Sequence, residues 1–156
     1  MRDWTDPDLH ELASQFFRTF ARMEYALKAA GYLTTMRGND AQPDWNRFAK
    51  EVQTVIEEPQ DPDVADAVAY ILKHPPKKQV VVNNKLEWDD TPPQTNFEAD
   101  RVLIYVRRIR NNLFHGGKFN GRWFEPQRSG ALIQYGLTIL KACRDYEPQV
   151  AKAYSS

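Results

Sequence analysis

The segment Arg110–Gly117 has the sequence Arg-Asn-Asn-Leu-Phe-His-Gly-Gly and is predicted to close a long helix. Thr95 and Glu98 have the spacing of a capping box, which predicts that this helix starts near Thr95. Gly116 can adopt the left-handed conformation that ends many helices. Apolar residues upstream recur at intervals of four, three and four, which is typical of a buried helix face: Val102, Val106, Ile109 and Leu113.

The polar residues of this segment indicate more than packing. Asn111 and His115 are four residues apart and therefore share a helix face, and Arg110 is long enough to lean toward His115. Histidine both accepts and donates a proton near neutral pH, and arginine stabilises phosphate charge. RNA carries its own nucleophile, the 2′-hydroxyl. A ribonuclease without a metal needs an acid, a base and a cation, and a two-fold dimer would bring two copies of His115 together.

Charge is unevenly distributed along this chain of 156 residues, although its formal net charge is zero. Residues 101–128 contain seven basic side chains and one acid, whereas residues 51–66 contain six acids and no base. A local basic region can bind a polyanion even in a neutral protein. The alternative is ordinary solvated charge. The candidate RNA contacts are Arg107, Arg108, Lys118 and Arg122.

The rest of the chain predicts an all-α protein. We expect a single domain over residues 1–156, an up-down helical bundle of four to five helices. Residues 77–93 form a non-helical insertion that is compatible with a small β-hairpin. Residues 31–42 are predicted to be a loop. The remaining helices are expected at about 6–30, 43–58, 61–73 and 126–145, and Gly136 within the last one predicts a close helix contact.

Several functional classes have no support in the sequence. The three histidines do not have the spacing of a metal site, so neither a metal nor another cofactor is expected. There is no Gly-x-Ser-x-Gly motif of a serine hydrolase. Cys143 is the single cysteine, and its apolar flanks predict a buried, inert thiol. Without a long apolar run or a signal peptide, we expect a soluble, cytoplasmic protein that does not bind a membrane.

The run Arg110-Asn111-x-x-x-His115-Gly116 resembles the signature of the HEPN superfamily, and the first predicted helix resembles it too, over Phe20–Leu27. The resemblance implies an all-α bundle, and many HEPN domains are metal-independent RNases whose active site forms between two copies. They occur as toxins and in anti-phage defence. One departure is Gly117, since HEPN toxins paired with a nucleotidyltransferase antitoxin have a tyrosine there. That mode of regulation is therefore not expected.

The resemblance implies catalytic roles for four residues, and each has a structural alternative. His115 would act as general acid or base, or cap helix carbonyls. Arg110 would stabilise the transition state, or form a surface ion pair. Asn111 would orient His115 or contact phosphate, or be a surface amide. Glu24 would hold Arg110 or tune His115, or be solvated.

The leading functional hypothesis is a homodimeric, metal-independent endoribonuclease of the toxin or anti-phage defence type. Its substrate is RNA, and an antitoxin or defence partner fits that setting. The alternative is a non-catalytic HEPN module that binds nucleic acid or nucleotide, or a subunit of a defence complex. A third interpretation is a purely structural dimeric bundle with no catalytic or binding role.

Overall fold

The fold is mainly α-helical, as the sequence predicts. The computed structural model describes residues 3–114, 118–119, 122–123 and 125–156. Seven helices lie within these residues: α1 Asp6–Ala29, α2 Trp45–Glu51, α3 Gln53–Glu57, α4 Pro62–Lys73, α5 Glu98–Phe114, α6 Pro126–Tyr146 and α7 Pro148–Ser155. Six strands pair in sequence as three antiparallel hairpins: β1 Leu33–Thr35, β2 Ala41–Pro43, β3 Lys78–Val82, β4 Lys85–Asp89, β5 Lys118–Phe119 and β6 Arg122–Trp123.

Two predicted elements differ in the structure. The helix expected at 43–58 is divided into α2 and α3, because the backbone at Val52 departs from helical geometry between them. Residues 31–42, predicted as a loop, contain the short hairpin of β1 and β2, in which Leu33 pairs with Pro43. The predicted starts of the helices near Asp44 and Asp61 are confirmed, since both aspartates accept a backbone N–H of the first helical turn.

The start of α5 differs from the predicted capping box. The helix begins at Glu98. The hydroxyl of Thr95 donates to the Asp100 carboxylate at 2.6 Å, instead of capping the helix. The Ala99 N–H donates to Glu57 of α3 at 3.0 Å. A carboxylate from a distant helix thus satisfies an N-terminal donor, and its negative charge suits that end of the helix.

The core joins the helices in one cluster of buried side chains, and α5 contributes the stripe expected from its spacing. Val102, Val106 and Ile109 are buried, and Leu113 packs partly against the cluster. The close contact predicted at Gly136 is confirmed. A Cβ there would stand 3.1 Å from the ring of Phe16 and 3.4 Å from Cδ1 of Ile109. This glycine lets α6 approach α1 and α5 at the same point.

The insertion at 77–93 forms the predicted hairpin of β3 and β4. Asn83 and Asn84 link the strands with φ values of 50° and 65°, as a two-residue type I′ turn requires. The backbone just before β3 is fixed to two helices. Asn112 of α5 donates to the Lys77 carbonyl at 2.8 Å, and Arg128 of α6 donates to the Pro75 carbonyl at 2.7 Å.

Within the described residues, none of the helices combines the length and the apolar composition that crossing a lipid bilayer requires.

Candidate functional site

A cavity of about 560 Å³ lies at the C-terminal end of α5, where the sequence predicts the site. It is bounded by α1, α5 and the first residues of β3. Among the described residues that line it, four are cationic and one is acidic, so it suits an anion. The lining residues are Phe20, Glu24, Lys78, Gln79, Ile104, Arg107, Arg108, Arg110, Asn111 and Asn112.

Arg110 is positioned by its neighbours on α1 and α5. Its guanidinium carbon lies 5.8 Å from the ring centroid of Phe20, a buried residue of α1. Its Nη1 donates to Oδ1 of Asn111 at 3.0 Å. Asn111 therefore orients Arg110 in this structure, which is a role that the sequence had not suggested for it.

Glu24 has a partner other than the expected Arg110 or His115. Its Oε2 accepts a hydrogen bond from Nε1 of Trp45 at 3.0 Å. The ring of Trp45 is also contacted by Arg107, whose guanidinium carbon lies 5.8 Å from the ring centroid. Glu24 thus contributes its negative charge to a cluster with Trp45 and Arg107 on the inner side of the cavity.

Arg107 is held inward, although the sequence suggested that it contacts RNA. Burial lowers the pKa of Arg107, while the charges of Asp100 and Glu24 act in the opposite direction. Its Nε donates to the Leu103 carbonyl one turn earlier at 3.3 Å. Arg107 lines the cavity and at the same time ties α5 to α2 through Trp45.

Arg108 is only partly buried. Its Nη1 lies 3.5 Å from the Thr91 carbonyl, and its guanidinium carbon lies 5.5 Å from the ring centroid of Tyr105. The first of these contacts is exposed to solvent. The hydrogen bonds of Arg108 and Arg110 are exposed to solvent, whereas the bond of Arg107 to Leu103 is partly buried.

Some predicted site residues lie beyond what the structure describes. His115, Gly116 and Gly117 are outside the described residues, so the C-terminal signal of α5 at Gly116 is outside them too. Lys118 and Arg122 belong to the β5–β6 hairpin, which pairs Lys118 with Trp123 and Phe119 with Arg122. The description of these two basic residues is limited to their backbone.

Sequence reasoning missed the contribution of the hairpin. Lys78 and Gln79 of β3 line the cavity, and Asn112 lines it while bonding the hairpin root. The basic pair Lys77–Lys78 was the available signal, but its distance from α5 along the chain concealed its position. The cations among the described lining residues are thus Lys78, Arg107, Arg108 and Arg110.

The described residues offer chemistry suited to phosphate. Arginine forks and a lysine ammonium bind phosphate oxygens, and amide groups such as those of Gln79 and Asn111 add neutral hydrogen bonds. Across the described ranges, no group of three or more His, Cys, Asp or Glu side chains is arranged to hold a metal ion. Cys143 is buried as predicted, and burial raises the pKa of its thiol to about 12.

The chain matches no known family model, no curated protein and no solved structure.

Proposed function

We propose that this protein is a metal-independent endoribonuclease whose active site lies at the C-terminal end of α5. The observation that supports this most is the convergence of Lys78, Arg107, Arg108 and Arg110 on one cavity. In the sequence His115 directly follows the last residue of α5. The cations of the cavity offer phosphate binding, the histidine that follows this helix in the sequence offers proton transfer, and RNA itself brings the nucleophile.

In the proposed reaction, the 2′-hydroxyl attacks the adjacent phosphorus. Its proton passes to a histidine acting as general base, and a new bond forms between the 2′-oxygen and phosphorus. The bond to the 5′-oxygen breaks, and that oxygen receives a proton from a second, protonated histidine. Arg110 stabilises the charge that develops on the phosphoryl oxygens. The products are a 2′,3′-cyclic phosphate and a 5′-hydroxyl.

The two proton transfers call for two histidines, so we propose a homodimer in which each copy contributes His115 and Arg110. The resemblance to HEPN domains motivates this arrangement, together with a HEPN-type bundle built from the longer helices. In that setting the protein would act in the cytoplasm as a toxin or in anti-phage defence. An antitoxin or a defence partner would then control it.

The competing proposal is a HEPN module that binds RNA without cleaving it. Glu24 is the one acidic residue among the described residues that line the cavity, and it accepts a hydrogen bond from Trp45. Proton transfer near neutral pH therefore depends on His115. If that residue does not act, the cations still suffice for RNA binding.

The test is incubation of labelled RNA with purified protein in excess EDTA, beside His115→Ala and Arg110→Ala. Circular dichroism checks that each variant is folded. We expect cleavage by the wild-type protein alone, with a 2′,3′-cyclic phosphate on the upstream fragment. Intact RNA that still binds the wild-type protein would favour the binding module, and equal cleavage by all three proteins would contradict the proposed site.

A further inference from the structure

A second cavity lies at the hairpin root and shares a lining residue with the first one. Its volume is about 160 Å³, and its lining residues are Pro76, Lys77, Trp88, Asn112, Glu125, Arg128, Ser129 and Leu132. Asn112 lines both cavities. The second cavity is smaller than the roughly 300–1,000 Å³ that encloses a whole small-molecule ligand. Its size suits one monomer of a polymer whose next monomers occupy the larger cavity.

The hairpin register connects the two cavities. Gln79 of β3 lies directly opposite Trp88 of β4, so the two side chains are on the same face of the hairpin. Gln79 lines the larger cavity, and Trp88 lines the smaller one. A ligand that passes across this face would therefore meet the arginines of α5 first and the indole of Trp88 next.

The charge along this path suits a polyanion. Among the described residues, the two cavities together are lined by six cations and by two acids, Glu24 and Glu125. Trp88 is 39% exposed, which leaves part of its ring surface accessible. Stacking of a base on an aromatic side chain beside a cationic groove is how proteins bind single-stranded nucleic acid. The six cations are Lys77, Lys78, Arg107, Arg108, Arg110 and Arg128.

The hairpin is fixed well enough to serve as a platform. Asn112 and Arg128 bond backbone carbonyls just before β3, and Arg108 bonds the Thr91 carbonyl just after β4. Contacts from α5 and α6 on both sides limit the movement of the hairpin root. Trp88 near that root is consequently held at a defined distance from Arg110.

We propose that Trp88 and the second cavity form a nucleotide subsite, in which a base of single-stranded RNA stacks on the indole and the neighbouring phosphates bind Lys77 and Arg128. This inference deepens the proposed function and rests on it for the identity of the ligand. It assigns the hairpin insertion to substrate binding outside the residues that perform the chemistry.

The test uses a single-stranded hexanucleotide with 2′-O-methyl groups, which cannot be cleaved because its nucleophile is blocked. We expect Trp88→Leu to weaken its binding by about 5- to 150-fold, which corresponds to the loss of one stacked base. Trp88→Phe should retain most of the affinity because a ring remains. Leu86→Ala is the matched control, because Leu86 lies on the same face, is 64% exposed and does not line either cavity.

Binding of the same sequence as a duplex should not depend on Trp88, since paired bases are already stacked. Equal affinity of the wild-type protein and Trp88→Leu for the single strand would overturn the subsite and leave the ribonuclease proposal intact. Loss of a dimer on sedimentation in both Trp88→Leu and Leu86→Ala would overturn it in favour of a protein interface. Trp88-dependent binding without cleavage by the wild-type protein would support the subsite and contradict the ribonuclease.

Discussion

The two ends of α5 differ in how their polar groups are used. At the N-terminal end, Glu57 accepts the Ala99 N–H, and the carboxylate of Asp100, only 6% exposed, is bonded by Thr95. At the C-terminal end, Arg108 and Arg110 border a cavity. The polar groups named at the first end bond other parts of the fold, whereas at the second end several cations gather around one cavity.

Helix electrostatics accounts for the charges at only one of these two ends. Acidic groups are favourable at the N-terminus of a helix and cations at its C-terminus, each by roughly 0.3–1 kcal/mol, and the effect falls off within the first and last turns. Glu98 and Asp100 lie in the first turn of α5, whereas its last turn has no basic residue. The helix dipole therefore does not account for the arginines that line the cavity. Substitutions at the two ends of α5 can be compared by measuring both RNA cleavage and the free energy of unfolding for each variant.

The largest effect is expected from Arg110→Ala. Removing a group that stabilises transition-state charge typically lowers kcat by about 100- to 1,000-fold. Because Arg110 lies at the edge of the core, the thermal midpoint should change little. The measurement is the initial rate of RNA cleavage beside a thermal melt. If the thermal midpoint of Arg110→Ala fell far enough for unfolding to explain the lost rate, the C-terminal end of α5 would be structural, like its N-terminal end.

Gly136→Leu should mainly change stability. The Cβ position is already 3.1 Å from Phe16 and 3.4 Å from Ile109, so a larger side chain would push α6 away from the segment of α5 below the cavity. We expect a loss of about 1–3 kcal/mol, measured by urea unfolding. Unchanged stability would show that the contact between α5 and α6 is looser than the structure indicates.

Arg107→Ala should behave differently from Arg110→Ala, although the two arginines are less than one turn apart. It removes the contact with Trp45 and the bond to the Leu103 carbonyl, so we expect a loss of about 1–2 kcal/mol in urea unfolding. The control is Arg18→Ala, an exposed arginine with a long ion pair to Glu11, which should cost under about 0.5 kcal/mol. Equal stability of both variants would refute the structural role of Arg107.

Near neutral pH the titration of Cys143 has the smallest effect on stability, and this thiol monitors the fold independently of either end of α5. Because burial raises its thiol pKa from 9.0 to about 12, the folded state favours the protonated thiol. The unfolded state loses this proton first as the pH rises, so this contribution to stability declines between about pH 9 and 12. Wild-type protein should lose stability relative to Cys143→Ala over that range, and iodoacetamide should label it only after unfolding. If iodoacetamide labelled Arg110→Ala rapidly without denaturant, that variant would be unfolded, and unfolding would explain its loss of activity.

Local patterns in the sequence predicted much of the fold. The stripe ending at Ile109, the hairpin at 77–93 and the close contact of Gly136 depend on residue spacing and backbone preference, which a single sequence reveals. The division of the second helix at Val52 was missed, because a helical apolar pattern continues across it.

The candidate site was predictable only in part. The arginines of α5 were predicted as site residues from the sequence of that helix alone. The bond between Trp45 and Glu24, the cap from Glu57 and the position of Lys78 join residues that are far apart in the sequence. Such contacts depend on how whole helices pack, and no local pattern encodes them.

The most direct test of the account compares the same residue type at the two ends of α5. Binding of the 2′-O-methyl hexanucleotide is measured across a salt series for Arg110→Gln and Arg101→Gln. Arg101 lies near the N-terminal end and lines a different cavity. We predict that Arg110→Gln weakens binding by about 10- to 100-fold and lowers the salt slope by about 0.7, the value for one lost phosphate contact, while Arg101→Gln leaves both unchanged. Equal losses in the two variants, or an unchanged salt slope for Arg110→Gln, would contradict a phosphate site at the C-terminal end of α5.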